Sequence, residues 1–227
     1  MVALKPDSTR LAGVYLLTPD TGSAGFGQVI EIVKQALDAG VRIVQYREKT
    51  AHFTVQFERT QRLLELTHDA GALLIVNDSV DLAAKSNADG VHMGRSDGDV
   101  TAARTILNGR LIGVSCYNDL ERAQCAVADG ADAVAFGSMF LSATKPNAVR
   151  APLSLLSRAR ASWPQQRVIA IGGINASNIG TVAESGAHAA AVLDSVFGAG
   201  HPAEAARELV RRFEEGRQKH DEQRRSV

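Results

Sequence analysis

The chain has 227 residues, of which 45% are hydrophobic and 22% are charged, a composition typical of a globular protein with one large core. Its 25 basic and 25 acidic residues give a formal net charge of zero, which argues against a nucleic-acid partner. The sequence contains no apolar run long enough to cross a bilayer and no signal-peptide core, so we expect a cytoplasmic protein with no membrane partner.

Short apolar runs rich in β-branched residues predict eight strands, separated by segments with the periodicity of amphipathic helices. The runs are 13–18, 42–48, 72–78, 89–94, 111–116, 132–138, 167–173 and 188–194. This alternation favours a parallel sheet, either open and doubly wound or closed into a (β/α)8 barrel.

The segment after the first predicted strand is Gly-rich but lacks a clean dinucleotide-binding GxGxxG motif, so we prefer the closed alternative. No change in composition marks a linker between domains. We therefore predict an α/β fold, a single-domain (β/α)8 TIM barrel over residues 1–227. Its core is expected over about 11–215, and a polar, frayed tail over about 216–227.

The second predicted strand runs into the motif QYREK. Alternation along a strand places Gln45, Arg47 and Lys49 on one face, and Tyr46 and Glu48 on the other. The active site of a barrel lies at the carboxyl ends of its strands, so these three side chains are candidates for binding an anion there.

Two acidic residues follow the next two predicted strands. Asp78 closes the third strand and Asp97 follows the fourth, so a barrel brings both to the same rim. Mg²⁺ prefers a few carboxylate oxygens and completes its shell with water and phosphate oxygens. Two carboxylates facing Arg47, Lys49 and Lys145 would suit a magnesium diphosphate. Alternatively, each Asp caps the helix that follows it.

The long segment GSMFLSATKP follows the sixth predicted strand and carries Ser142, Thr144 and Lys145. Two hydroxyls and an ammonium can hold phosphate oxygens, and a loop of this length could close over a ligand. The alternative is a solvated turn that ends at Pro146.

The seventh predicted strand ends in Gly172 and Gly173, with a helix expected from Ala176 or Ser177. Small residues at a helix start let a phosphate approach backbone N–H groups, and the last two strands of many barrels bind phosphate in this way. A tight turn that only relieves steric crowding is the alternative. His92, inside GVHMG, is expected to be a hydrogen-bonded core residue rather than a base.

Six motifs occur in order between about Leu11 and Phe197, namely QYREK, IVND, GVHMGRSD, GVSCYN, FGSMFLSATKP and AIGGI. In this order and at these distances they resemble thiamine phosphate synthase. The resemblance implies a (β/α)8 barrel that acts on small molecules, and we expect a monomer or a homodimer. It implies a transferase that joins a hydroxymethylpyrimidine diphosphate to a thiazole phosphate, or to its carboxylated form, and releases diphosphate with Mg²⁺.

The resemblance also implies three groups of site residues. Those for the pyrimidine and its diphosphate are Gln45, Arg47, Lys49, Asn77, Ser115 and Lys145. Those that hold Mg²⁺ are Asp78 and Asp97. Those for the thiazole phosphate are Ser142, Thr144, Gly172, Gly173, Leu193 and Asp194. Arg47, Lys49 and Lys145 are the implied catalytic residues, because negative charge builds on the leaving diphosphate.

The chain departs from the family pattern at two places. The family usually has PTxTK where this chain has residues 141–145, LSATK, which keeps the hydroxyl but loses the proline. It typically has Val-Ser where this chain has Leu193 and Asp194. A carboxylate beside a bound phosphate repels it, unless the phosphate contacts only the backbone N–H and Asp194 turns outward.

Two other functions fit parts of the pattern. One is a thiazole tautomerase of the same barrel family, which has no leaving group and needs no cations for a diphosphate. The other is a non-catalytic barrel that binds a phosphate ligand. The set of Arg47, Lys49, Asp78, Asp97 and Lys145 favours the synthase over the tautomerase, and product formation distinguishes it from the non-catalytic barrel.

Overall fold

The computed structural model describes residues 7–22, 25–141 and 148–225. Eight parallel strands form a closed barrel in chain order, and β8 pairs with β1. The strands are β1 Gly13–Leu17, β2 Ile43–Tyr46, β3 Leu73–Asn77, β4 Gly90–Met93, β5 Leu111–Tyr117, β6 Ala133–Phe136, β7 Arg167–Ile171 and β8 Ala189–Val192. The predicted (β/α)8 barrel is therefore confirmed.

Helices cover the outside of the barrel, one after each of the first seven strands and two after the eighth. They are α1 Phe26–Asp38, α2 Phe53–Asp69, α3 Val80–Ser86, α4 Val100–Leu107, α5 Leu120–Ala128, α6 Ser154–Ser162, α7 Ile179–Glu184, α8 Asp194–Phe197 and α9 Pro202–Arg225. A short 3-10 helix, Ser8–Arg10, precedes β1. Within the described ranges, every helix is too short or too polar to span a membrane.

Side chains that alternate along the strands fill the barrel interior unevenly. The large ones come mainly from the first three strands and include Tyr15, Leu17, Ile43, Leu73 and Ile75. The small ones come from β6 and β8 and are Ala133, Ala135, Ala189 and Ala191. The interior side chains of β6 and β8 are therefore smaller than those of β1 to β3, and Ile169 of β7 lies between them.

The other face of each strand packs against the helices in a second, larger core. On β2, Val44 and Tyr46 are buried there, and the Tyr46 ring meets the Phe26 ring of α1 edge to face at 6.3 Å. Gln45 faces the interior instead, where it contacts Tyr15. The alternation predicted for QYREK is therefore present in β2.

The last helix is longer than the sequence predicted. α9 continues to Arg225, whereas we expected a frayed tail from about Gly216. Gly216 packs so closely on α7 that a Cβ there would lie 2.2 Å from the Gly180 carbonyl oxygen. The His220 ring also contacts the Glu184 carbonyl at 2.9 Å. These contacts with a distant helix hold the end of α9, and local polarity gives no sign of them.

Candidate active site

The charged motifs predicted to form a site meet at the carboxyl rim of the barrel. The Lys49 ammonium nitrogen lies 3.0 Å from the Asp78 carboxylate, so the segment after β2 touches the end of β3. Lys49 is 52% exposed and Asp78 30%, which leaves both accessible from solvent. The contact confirms that these two strand ends converge.

Asp97 lies close enough to Asp78 to affect the pKa of Asp78. Burial raises the pKa of Asp78, the nearby Asp97 carboxylate raises it further, and Lys49 opposes the shift. Two carboxylates held together with one ammonium form a site that a divalent cation would stabilise by reducing their repulsion. The described residues contain no group of three or more His, Cys, Asp or Glu side chains that could hold a metal ion.

Neither carboxylate caps a helix, which was the alternative interpretation. The N-cap of α3 is Ser79, whose side chain accepts a hydrogen bond from Leu82 N at 3.1 Å. The N-cap of α4 is Asp99, whose side chain accepts from Ala102 N at 2.8 Å. Asp78 and Asp97 are left to face the rim.

Backbone geometry helps to aim the two carboxylates. Asp78 has a left-handed backbone, with φ of 64°, and its N–H donates to the His92 carbonyl at 2.8 Å. For a residue with a Cβ this conformation is uncommon and costs energy. The Asp97 carboxylate accepts a hydrogen bond from Gly94 N at 2.6 Å, which folds the loop after β4 back over the strand end.

Gln45 lies deeper than the two cations. Its side chain is 3% exposed, and its Nε2 donates to the Tyr15 hydroxyl at 2.9 Å. Burial raises the pKa of Tyr15, so the phenol stays neutral. A buried amide needs a hydrogen-bond partner, and Tyr15 supplies it while fixing the direction of the Gln45 side chain.

Ser115 on β5 is paired with His92 on β4. The His92 Nε2 lies 2.9 Å from the Ser115 hydroxyl, and burial lowers the pKa of His92 to about 4. The imidazole is therefore neutral at neutral pH. A Cβ on Gly113 would lie 2.6 Å from His92 Nδ1, so this glycine makes room for the ring. His92 is a hydrogen-bonded interior residue, as the sequence predicted.

Arg47 and Asn77 are half-buried at the ends of their strands. The Arg47 N–H donates to the Thr18 hydroxyl at 3.0 Å, which ties the start of the β2–α2 segment to the end of β1. Asn77 pairs in register with His92 of β4 and by alternation shares the interior-facing side of β3 with Ile75. Both residues therefore sit at the base of the rim.

Gly172 and Gly173 form a turn pressed against the segment that follows β6. Both have positive φ, 100° and 64°. A Cβ on Gly172 would lie 2.3 Å from the Ser138 hydroxyl oxygen, and one on Gly173 would lie 2.2 Å from the Leu141 carbonyl oxygen. Any larger residue would therefore push the two rim segments apart.

The helix after this turn begins later than predicted. We expected a start at Ala176 or Ser177, but α7 begins at Ile179. The Asn175 carboxamide oxygen accepts from Ser177 N at 2.9 Å, and Asn178 Nδ2 donates to Gly173 O at 3.0 Å. Side-chain turns thus occupy the residues where helix was expected.

Leu193 and Asp194 lie between β8 and the short helix α8. Asp194 is exposed and is the first residue of α8, and Leu193 is half-buried. The Ser195 hydroxyl donates to Ile174 O at 2.5 Å and so connects the end of β8 to the glycine turn. Ser142, Thr144 and Lys145 lie outside the described residues.

The structure adds site residues that sequence patterns did not single out. Tyr15 holds Gln45, while Asp20, Glu48 and Arg59 surround the backbone of the segment between β2 and α2. Alternation in QYREK placed Glu48 on the face opposite to Gln45, Arg47 and Lys49, and this face meets the helices. Its partner Arg59 lies on α2, and no sequence pattern connects the two.

The chain is similar to known proteins over most of its length. The family model described as thiamine monophosphate synthase matches residues 14–196. A thiamine-phosphate synthase of Azoarcus sp. is 48% identical over 198 residues, covering 87% of this chain and 95% of the relative. That of Halorhodospira halophila is 48% identical over 213 residues, covering 92% and 98%.

A solved structure supports the same relationship. Thiamine phosphate pyrophosphorylase from Pyrococcus furiosus superposes with a TM-score of 0.82 at 33% identity, covering 92% of this chain and 98% of that one. The match therefore includes the barrel and the whole rim on which the motifs lie.

Proposed function

The chain belongs to the thiamine monophosphate synthase family and is a transferase, and we propose that side chains at the ends of β2, β3 and β4 bind and activate its diphosphate substrate. The reaction joins a hydroxymethylpyrimidine diphosphate to a thiazole phosphate, yielding thiamine phosphate and diphosphate. The proposal rests on the contact of Lys49 with Asp78. This contact brings the ammonium of QYREK to the carboxylate of IVND, which in turn lies near the Asp97 carboxylate of GVHMGRSD.

The reaction determines which side chains are needed. The C–O bond to diphosphate breaks, its electron pair leaves with the diphosphate, and the lone pair of the thiazole nitrogen forms the new C–N bond. Negative charge grows on the leaving group, and we assign Arg47, Lys49 and Lys145 to stabilise it. The thiazole nitrogen has no proton to lose, so the proposal needs no general base.

We assign Asp78 and Asp97 to Mg²⁺. Two carboxylates are a fitting donor set, because Mg²⁺ usually takes one or two and keeps water and substrate phosphate oxygens for the rest of its shell. When bound, the ion would neutralise charge on the diphosphate oxygens. Lys49, already in contact with Asp78, would then lie beside the same diphosphate.

We assign Gln45, Asn77 and Ser115 to the pyrimidine half of the substrate. All three lie on the interior-facing side of their strands, below the cations of the rim. Their partners support this role: Tyr15 fixes the Gln45 amide and His92 fixes the Ser115 hydroxyl. A small heteroaromatic ring offers acceptors and donors that such groups can bind.

We assign the thiazole phosphate to the opposite part of the rim, with Ser142, Thr144, Gly172, Gly173 and the backbone at Leu193 and Asp194. Asp194 is exposed at the start of α8, and we assign its contact to the backbone N–H alone, because a carboxylate beside the phosphate would repel it. The glycine turn leaves backbone groups unobstructed by side chains.

One assay tests the proposal. Purified protein is mixed with the pyrimidine diphosphate, the thiazole phosphate and MgCl₂, and thiamine phosphate and diphosphate are followed by chromatography. We expect equal amounts of both products, and none after chelation with EDTA. Ligand binding without product would indicate the non-catalytic barrel, and isomerisation of a carboxylated thiazole phosphate without diphosphate release would indicate the tautomerase.

A further inference from the structure

A buried ion pair lies directly behind the cations of the rim. Glu48 stands between Arg47 and Lys49 in the chain but points the opposite way, towards α2. Its carboxylate meets the Arg59 guanidinium at 2.9 Å, with side chains only 1% and 7% exposed. The Arg59 guanidinium also stacks over the Phe26 ring, 4.8 Å from its centre.

Stability alone is a poor explanation for this pair. Moving two charges out of water costs several kcal/mol per ion, and well-packed apolar residues often serve a core as well or better. A buried pair does, however, fix one geometry, because each charge is strongly destabilising when left unpaired. The geometry that Glu48 and Arg59 fix is that of the segment carrying Arg47 and Lys49.

The Glu48 carboxylate binds the backbone just beyond Lys49. Its Oε1 accepts from Thr50 N at 3.0 Å, from the Thr50 hydroxyl at 3.0 Å and from Ala51 N at 3.3 Å. The other oxygen, Oε2, is the one that meets Arg59. A single side chain thus fastens the turn that follows Lys49 to helix α2.

The end of β1 holds the same segment from the other side. Asp20 accepts from Lys49 N at 3.2 Å and shares the proton of the Thr50 hydroxyl, 3.1 Å away, with Glu48, and Thr18 accepts from Arg47 N at 3.0 Å. The backbone of Arg47 and Lys49 is therefore fixed before any ligand arrives. Binding to a site that is already ordered carries a smaller entropic cost of ordering side chains and loops.

The pair also removes a competing charge. An unpaired Glu48 carboxylate one residue from Arg47 and Lys49 would attract the cations that are meant for the substrate. Arg59 pairs with that carboxylate from the side of α2, and the Asp20 carboxylate lies beside it at the end of β1.

We propose that Glu48 and Arg59 are positioning residues for the diphosphate of the pyrimidine substrate, acting only through Arg47 and Lys49. The inference rests on the proposed function of the rim. It makes a specific claim: loss of the pair weakens binding of the pyrimidine diphosphate and leaves binding of the thiazole phosphate unchanged, since the backbone N–H groups of Arg47, Lys49 and Thr50 are bound by the end of β1 and by Glu48.

The test is titration calorimetry of Glu48→Gln and Arg59→Met with each substrate separately, in the presence of MgCl₂, so that no turnover occurs. We expect the dissociation constant for the pyrimidine diphosphate to rise about 10- to 100-fold, the scale of loss caused by small misplacements. The constant for the thiazole phosphate should change by less than about twofold. Arg59→Lys keeps the charge and should recover most of the lost affinity.

A matched control is the ion pair of Arg104 with Asp132, which lies at the amino-terminal rim and joins its partners at 2.5 Å. Arg104→Met should lower the melting temperature and change neither dissociation constant. If Glu48→Gln and Arg59→Met do not fold, Thr50→Val removes two hydroxyl contacts to Glu48 and Asp20 and should weaken pyrimidine diphosphate binding about threefold.

Unchanged affinity in folded variants, equal loss for both substrates, or the same loss in Arg104→Met would overturn the inference. Failure of the proposed function is a different result. In that case the wild-type protein itself would bind no pyrimidine diphosphate or form no thiamine phosphate.

Discussion

The carboxyl rim of the barrel has two parts built in different ways. The charged rim, defined by Arg47, Lys49, Asp78 and Asp97, relies on side chains. The glycine rim, defined by residues 172–173 and 193–194, relies on backbone, and its glycines are pressed against the segment after β6. Side-chain charge suits a group on which charge grows during the reaction, while backbone N–H groups suffice for a phosphate that only needs to be held.

The interior of the barrel follows the same division. Long and polar side chains such as Tyr15, Gln45 and His92 fill the side below the charged rim, whereas β6 and β8 contribute only alanines, with Ile169 of β7 between them. Hydrogen bonds therefore hold the side chains below the charged rim, and close backbone packing holds the glycine rim. Substitutions in the two parts should therefore have different effects on activity, ligand binding and stability.

The largest effect is expected from Lys145→Ala, which tests whether Lys145 contributes charge to the departing diphosphate. We expect kcat to fall about 10²- to 10³-fold, the usual cost of losing one group that stabilises transition-state charge. The KM for the pyrimidine diphosphate should change little. Steady-state kinetics measure both, and equal changes in kcat and KM would remove Lys145 from this role.

Asp78→Asn should weaken the binding of Mg²⁺ at the charged rim. We expect the Mg²⁺ concentration for half-maximal activity to rise about 10- to 100-fold, the range found when groups around a metal are altered. Asp81→Asn is a matched control, because Asp81 is exposed on α3 and pairs with Lys85. An unchanged Mg²⁺ titration for Asp78→Asn would show that it does not bind the metal.

Gly173→Ala should damage the glycine rim selectively. The added Cβ would meet the Leu141 carbonyl oxygen at 2.2 Å in a backbone with φ of 64°, so we expect a loss of about 1–3 kcal/mol in unfolding free energy. The KM for the thiazole phosphate should rise about tenfold. At Gly200 a Cβ would meet no atom within 4 Å, and Gly200→Ala should change neither quantity.

The smallest effect is expected from His92→Phe, which removes the partner of Ser115. One neutral hydrogen bond contributes about 0.5–1.5 kcal/mol, so kcat/KM for the pyrimidine diphosphate should fall about two- to tenfold. Ser115→Ala should have a similar effect. The double variant should lose less than the product of the two single losses, and full additivity would contradict a shared role.

The sequence predicted the barrel because its signals are local. Each strand is an apolar run, and alternation correctly placed Gln45 and Glu48 on opposite faces, which the structure identifies as the interior and the helix side. It could not distinguish Asp78 from Ser79 or Asp97 from Asp99 as helix caps, since neighbouring residues offer the same local chemistry. Only the folded backbone decides which side chain reaches the N–H group.

Long-range contacts account for the remaining differences. Arg59 gives no sequence sign that it binds Glu48, because its role depends on how α2 packs on β2. The length of α9 depends on close packing of Gly216 against α7, and the late start of α7 depends on Asn178 reaching Gly173. Each contact joins residues whose separate patterns suggest only a polar surface or a turn.

The most direct test of the division between the two rims is a crystal structure with thiamine phosphate, diphosphate and Mg²⁺ bound. We predict the diphosphate within hydrogen-bonding distance of Arg47 and Lys49, with Mg²⁺ on Asp78 and Asp97. The phosphate of the product should lie on the backbone of Gly172 and Gly173. A diphosphate on the glycine turn, or a product phosphate on Arg47 and Lys49, would contradict the account.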